Sequence, residues 1–151
     1  MGRYLRAGLA AGVVHALLAM AFVHFALDDA LRDELAAALA EVTGKAQPAV
    51  DAVAASGTDW GQVALHLGIR LLFGFVTMAL FAALQRKRMR FRAARLTGLV
   101  FWVIGYIAWP LFLAASYGLS VTLLFVSIGY GLVETQVAAH VGALAWGRRE
   151  S

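Results

Sequence analysis

Four apolar stretches, each long enough to cross a bilayer, take up most of this chain and leave it few ways to fold. They cover residues 5–27, 61–84, 96–117 and 119–146. A helix rising about 1.5 Å per residue crosses a hydrocarbon core of ~30 Å in ~20 residues, and each stretch reaches that length. Residues of 62% hydrophobic and only 15% charged character fit the same reading, since soluble domains sit nearer half apolar. The expected fold is all-α, a four-helix transmembrane bundle forming a single domain.

The charges between these stretches sort by sign. Arg3 and Arg6 precede the first, Arg86, Lys87, Arg88, Arg90, Arg92 and Arg95 fill the connection 85–95, and Arg148 and Arg149 follow the fourth; together these are ten of the thirteen basic residues. Basic residues are retained on the cytoplasmic side. Both termini and the 85–95 loop are therefore expected inside, an arrangement that an even number of crossings satisfies. The expected location is the bacterial cytoplasmic (inner) membrane. The net charge of +4 is explained by this topology, and no nucleic-acid partner is expected. The first apolar run exceeds a typical signal-peptide core of about 7–15 residues and reads as an uncleaved anchor.

The connection 28–60 carries Asp28, Asp29, Asp33, Glu34, Glu41, Asp51 and Asp59 and is expected outside. Leu31, Leu35, Leu39 and Val42 recur at helical spacing, which predicts an amphipathic helix there. Gly44 and Pro48 break it, and Trp60 falls where aromatic residues collect at the membrane interface. The third and fourth spans are separated by a few residues around Gly118 and must form an antiparallel hairpin. Pro110 is expected to kink the third helix.

Helices in lipid associate through small and polar residues. The expected inward stripes are Gly8, Gly12, His15 and Ala19; His66, Arg70, Gly74 and Thr77; Gly98, Trp102, Gly105 and Trp109; and Ser127, Gly131, Glu134, Thr135, Ala138 and Gly142. These stripes serve equally as a bundle interior or as an oligomer interface.

Two formal charges fall inside the spans. Each costs ~2.5–3.5 kcal/mol at mid-membrane even on lenient scales, so such residues face inward and pair. Counted from the basic side, Arg70 lies roughly 21 Å, Glu134 roughly 18 Å and His15 roughly 13 Å deep. An Arg70–Glu134 ion pair is expected, with bidentate geometry favoured and His15 as a hydrogen-bond partner of Glu134. His66, His24, Thr77 and Thr135 are secondary polar positions. His140 lies near the inner end, off the small-residue stripe.

These positions support three functions. The first is a small non-enzymatic membrane protein, an accessory or assembly subunit of a complex or a self-associating bundle, in which the cluster fixes helix register. The second is a transporter or proton-conducting protein that uses Arg70, Glu134 and His15. The third is a haem-binding electron-transfer protein with His24 and His66, at one depth, as axial ligands. His15 and His24, nine residues apart, fall on opposite helix faces, which argues against stacked haems on one face. The absence of cysteine excludes disulfides, thiol catalysis and thiolate metal sites. No metal-binding spacing occurs, and no cofactor is expected. Arg86, Lys87, Arg88, Arg90 and Arg92 are expected to contact anionic lipid head groups, at ~1 kcal/mol each.

The stretch Arg6-Ala7-Gly8-Leu9-Ala10-Ala11-Gly12-Val13-Val14, the segment Trp102-Val103-Ile104-Gly105-Tyr106, and the closing Gly129-Tyr130-Gly131-Leu132-Val133-Glu134 with Gly142-Ala143-Leu144-Ala145-Trp146 together resemble an uncharacterised family of small bacterial four-helix integral membrane proteins. The resemblance implies the same topology and singles out Glu134. It carries no activity. The chain departs from the family pattern in a longer outer loop and additional histidines.

Overall fold

The computed structural model describes residues 2–22, 25, 29–31, 33–34, 37, 60–86, 89–118 and 120–147. Four helices long and apolar enough to cross a membrane make up almost all of them, Gly2–Ala21, Ala64–Gln85, Arg90–Ser116 and Val121–Trp146, consistent with a multi-pass membrane protein. We label the helices α1 (Gly2–Ala21), α2 (Trp60–Gln85), α3 (three consecutive segments, Arg90–Trp102, Val103–Ala108 and Trp109–Tyr117) and α4 (Val121–Trp146). Most of the 28–60 connection and its expected amphipathic helix lie outside the described residues, as do His24, Lys87, Arg88, Arg148 and Arg149.

α3 begins at Arg90, within the stretch 85–95 read above as loop. Arginine is a good helix former, and Arg90, Arg92 and Arg95 extend the helix while keeping their charged heads at its end. Met89 precedes it in extended conformation, φ −62° and ψ 144°. At the other end of α3, Gly118 turns the chain at φ 69°, a left-handed conformation that favours glycine, and its N–H donates to the Ala114 carbonyl at 3.1 Å. The Ser120 side chain then caps α4 by accepting from the Leu123 N–H at 3.2 Å. The Glu34 carboxylate accepts the Ser120 N–H at the same helix start, where the positive end of the helix dipole favours an anion.

The helices run antiparallel in sequence, so α1 and α3 start, and α2 and α4 finish, at one end. Apart from Arg70, the arginines among the described residues, Arg3, Arg6, Arg86, Arg90, Arg92 and Arg95, gather there, and we call it the basic end. Its core is Ala7, Ala11, Met78, Phe81, Ala93, Ala94 and Ala143, closed by Leu84, Ala145 and Trp146. α1 lies between α2 and α4, and α4 packs along the first segment of α3. The α1–α2 contact is a backbone contact. A Cβ built on Gly74 would lie 2.2 Å from the Gly12 nitrogen and 2.3 Å from the Gly8 carbonyl oxygen. Lipid tails are as apolar as leucine side chains, so close packing of this kind supplies much of the adhesion that water supplies in soluble bundles.

Pro110 shapes α3 in an unexpected way. Without an N–H it cannot donate to the Tyr106 carbonyl, and its ring crowds that turn. The chain responds with a widened π-helical segment, Val103–Ala108, just ahead of the proline. A widened turn holds extra residue and moves the inward face by one position. The stripe read as Gly98, Trp102, Gly105 and Trp109 therefore needs correction. Gly98 is buried and Trp102 donates its indole N–H to the Ile128 carbonyl at 2.8 Å. Beyond them Tyr106 and Pro110 turn inward. Trp109 is 49% exposed, and a Cβ on Gly105 would meet nothing within 4 Å.

The two glycines give opposite expectations. Gly74→Ala should lower stability by about 1–3 kcal/mol, the cost of overpacking a tight contact, while Gly105→Ala should stay within about 0.5 kcal/mol of the parent. Unfolding by sodium dodecyl sulfate titration in mixed micelles measures both.

Candidate functional site

Four helices converge on one carboxylate. Glu134 lies on the small-residue face of α4 with Gly131, Thr135, Ala138 and Gly142, all buried. Small neighbours let the other helices come close enough to reach it. A Cβ on Gly131 would overlap the Tyr106 ring at 2.1 Å, so glycine there makes room for the tyrosine.

The Glu134 Oε1 atom lies 2.8 Å from His15 Nδ1 and 3.0 Å from Arg70 NH1. The same NH1 group donates to the Tyr106 hydroxyl at 3.0 Å. His15 Nε2 lies 3.3 Å from Thr77 Oγ1. The cluster thus draws on α1 through His15, α2 through Arg70 and Thr77, α3 through Tyr106 and α4 through Glu134. His15, Thr77 and Glu134 are buried. The Arg70 side chain remains 20% exposed.

An ionised carboxylate only accepts, so with Glu134 ionised the Nδ1–H of His15 and the NH1 group of Arg70 both donate to it. At Nε2 the imidazole tautomer sets whether the ring or the Thr77 hydroxyl is the donor.

The geometry differs from the bidentate fork expected above. One carboxylate oxygen serves both His15 and Arg70, and one guanidinium nitrogen serves both Glu134 and Tyr106. Sharing replaces the fork because four helices, rather than two, approach the carboxylate. Aromatic rings wall the cluster. His15 packs on Phe101 and Phe73 with centroids 5.5 and 6.3 Å away, and the Arg70 guanidinium carbon lies 5.7 Å from the Phe73 centroid.

The other positions named from sequence divide. Thr77 joins the cluster. Thr135 is buried but donates to the Gly131 carbonyl of its own helix at 2.9 Å. His66 is exposed, one helical turn from Arg70, and stands apart from the cluster. His24 lies outside the described residues, so its pairing with His66 has no described geometry. Among the described residues no group of three or more His, Asp or Glu side chains is placed to hold a metal ion. His140 donates Nδ1–H to the Gln136 carbonyl at 2.7 Å and stacks on Phe91. In the basic segment Arg86 and Arg92 are exposed, and Arg90 lies over the Phe91 ring at 4.8 Å.

Sequence reading missed Tyr106, Phe73 and Phe101. Tyr106 is four residues beyond Trp102, so reading Pro110 as the cause of a one-residue phase shift would have found it. Tyr130 was missed too; its hydroxyl donates to the Leu18 carbonyl at 2.5 Å and ties α4 to α1.

The order carboxylate, imidazole, hydroxyl also activates nucleophiles in hydrolases. Here the hydroxyl belongs to Thr77, which is 0% exposed, and no substrate carbonyl can approach it. What the arrangement does chemically is hold one ion pair and one imidazole in mutual satisfaction. Comparison with family models, with curated proteins and with solved structures finds no match.

Glu134→Ala strands Arg70 and His15 and should cost about 3–5 kcal/mol of stability. Glu134→Gln keeps an acceptor for His15 and should cost less. The double substitution Arg70→Leu with Glu134→Leu should be less damaging than the two single effects added, because neither charge is left alone. A double-mutant cycle read by detergent-induced unfolding checks all three.

Proposed function

We propose that this chain is a small non-enzymatic integral membrane protein of the bacterial inner membrane, with both termini cytoplasmic, acting as an accessory or assembly subunit of a larger membrane complex. The observation that carries this reading is the closed polar cluster. Its carboxylate, imidazole and threonine hydroxyl are buried and face one another. Such a cluster works as a clasp. It specifies which helices meet, at what depth and in what rotation, because any slip strands a charge in hydrocarbon. A rigid small bundle then offers its outer faces to neighbours. The orientation rests on the gathering of arginines at the basic end. There Arg86, Arg90 and Arg92, with Lys87 and Arg88, would meet anionic lipid head groups.

A second reading keeps one specific observation in its favour. Arg70, Glu134, His15 and Thr77 form a continuous hydrogen-bonded series across α2, α4 and α1, the kind of chain along which protons pass in pumps and transporters.

Gentle extraction followed by native mass measurement and a visible absorption spectrum separates these readings. The accessory reading expects a colourless protein co-migrating with fixed, different subunits. A colourless homo-oligomer whose proton flux in vesicles is abolished by Glu134→Gln would replace it with the second reading. A Soret band would overturn both and make histidines ligands. Reporter fusions test the orientation: green fluorescent protein at the C-terminus should fluoresce, and alkaline phosphatase joined at residue 50 should be active.

A further inference from the structure

Thr97 on α3 is fully buried, and among the described residues its hydroxyl is the one buried side-chain polar atom without a hydrogen-bond partner. Threonines inside helices ordinarily return the hydroxyl to a carbonyl of the preceding turn. Thr135 does so on α4, donating to the Gly131 carbonyl at 2.9 Å. Thr97 makes no such bond. An unmet hydroxyl is costly wherever bulk water is excluded, so a buried one in a folded protein calls for a partner.

The neighbours of Thr97 locate that partner. α2 and α3 run antiparallel and meet turn by turn. Phe73 on α2 touches Phe101 on α3, with ring centroids 5.5 Å apart. Two turns nearer the basic end, Phe81 on α2 and Ala93 on α3 belong to one buried core. Thr77 and Thr97 occupy the turn between, four residues from each flanking position. At 1.5 Å per residue, Thr77 lies about 12 Å from the Gln85 end of α2 and Thr97 about 10 Å from the Arg90 end of α3. The two side chains therefore share one level. Thr77 is hydrogen-bonded to His15, and the two hydroxyls make no direct bond with each other. Aromatic rings on either side set the spacing of the helices, and two threonines fill less of that spacing than the Phe73–Phe101 pair.

We infer that a single water molecule binds between α2 and α3 at this level, bridging the hydroxyls of Thr97 and Thr77 and so joining Thr97 to the Glu134 cluster. Water suits the position because it both donates and accepts. If Thr77 donates to His15 Nε2, it keeps a lone pair for the water; if it accepts from His15, it keeps an O–H to give. The Thr97 hydroxyl has its donor and both acceptor positions free. Buried waters make about three hydrogen bonds to groups the protein leaves unsatisfied, and a carbonyl of the preceding turn, with its second lone pair, supplies the third. A cation fits less well. Glu134 is the only acidic residue in the four helices and already balances Arg70, so a further positive charge would stand alone. An apolar occupant would leave Thr97 unmet.

The polar series then runs Arg70, Glu134, His15, Thr77, water, Thr97. Below Thr97 stand the buried, apolar Phe81, Ala93 and Ala94, which enclose the water on the side of the basic end. The water ties α3 to the cluster at a second point besides Tyr106. This hydration site serves a passive clasp and a proton-conducting series alike.

Crystals of the full-length protein grown in a lipidic mesophase test the site directly. One density peak should lie at hydrogen-bonding distance, about 2.7–3.2 Å, from Oγ1 of both Thr97 and Thr77. Thr97→Val keeps the shape and removes the hydroxyl. It should lose the peak and unfold at a lower sodium dodecyl sulfate fraction than the parent, its folded-to-unfolded ratio falling about 3- to 10-fold, the worth of one buried hydrogen bond. Thr97→Ser should keep the peak. A dry, unmet hydroxyl predicts the opposite sign, because deleting an unsatisfied group relieves its burial cost. Resistance of Thr97→Val equal to or greater than that of the parent therefore overturns the inference. So does a parent structure with the Thr97 hydroxyl on the Ala93 carbonyl and no peak between the helices, or a peak that thallium replaces on soaking, which would mark a cation. The peak in the parent decides the matter by itself if Thr97→Val fails to fold.

Discussion

The contact between Glu134 and its two partners, His15 and Arg70, sets the terms for the rest of the bundle. In water a carboxylate would be indifferent to a helix sliding by a turn. In hydrocarbon it is not, because an unpaired charge there costs several kcal/mol. Sharing one oxygen between Nδ1 of His15 and NH1 of Arg70 fixes α1, α2 and α4 in depth and rotation together. Tyr106, accepting from the same NH1, brings α3 into the same arrangement. All four helices are registered on this one cluster.

Packing serves that point. Close backbone contact at Gly8, Gly12 and Gly74 brings α1 against α2 and holds His15 within reach of Thr77. Gly131 gives way to the Tyr106 ring. The aromatic wall of Phe73 and Phe101 keeps lipid and water from the imidazole. A clasp of this kind yields specificity more than raw stability, since an apolar replacement of the pair would pack without desolvating any charge. That trade suits the accessory role proposed above.

The bundle is not uniform along its length. At the basic end alanines and bulky residues from all four helices interlock into a core. At the other end α2 stands clear of the widened part of α3. The change occurs at the level of Arg70 and Tyr106, where Pro110 has already forced the π turn. One proline therefore both delivers Tyr106 to the cluster and leaves the far half of α3 out of step with α2.

The sequence by itself determined the four spans, because hydrocarbon accepts only long apolar helices, and it determined that Arg70 and Glu134 would meet, because two buried charges at matching depth have no better partners. The inward stripes of α1 and α4 were also legible, since regular helices keep a constant phase from end to end. Only the tertiary structure decided the second half of α3, where Gly105 and Trp109 gave place to Tyr106 and Pro110; a local π turn shifts the phase, and periodicity counted at 3.6 residues does not contain that shift. The single shared oxygen in place of a fork was likewise decided in three dimensions, because which atoms of a carboxylate are used depends on how many helices approach it and from which side.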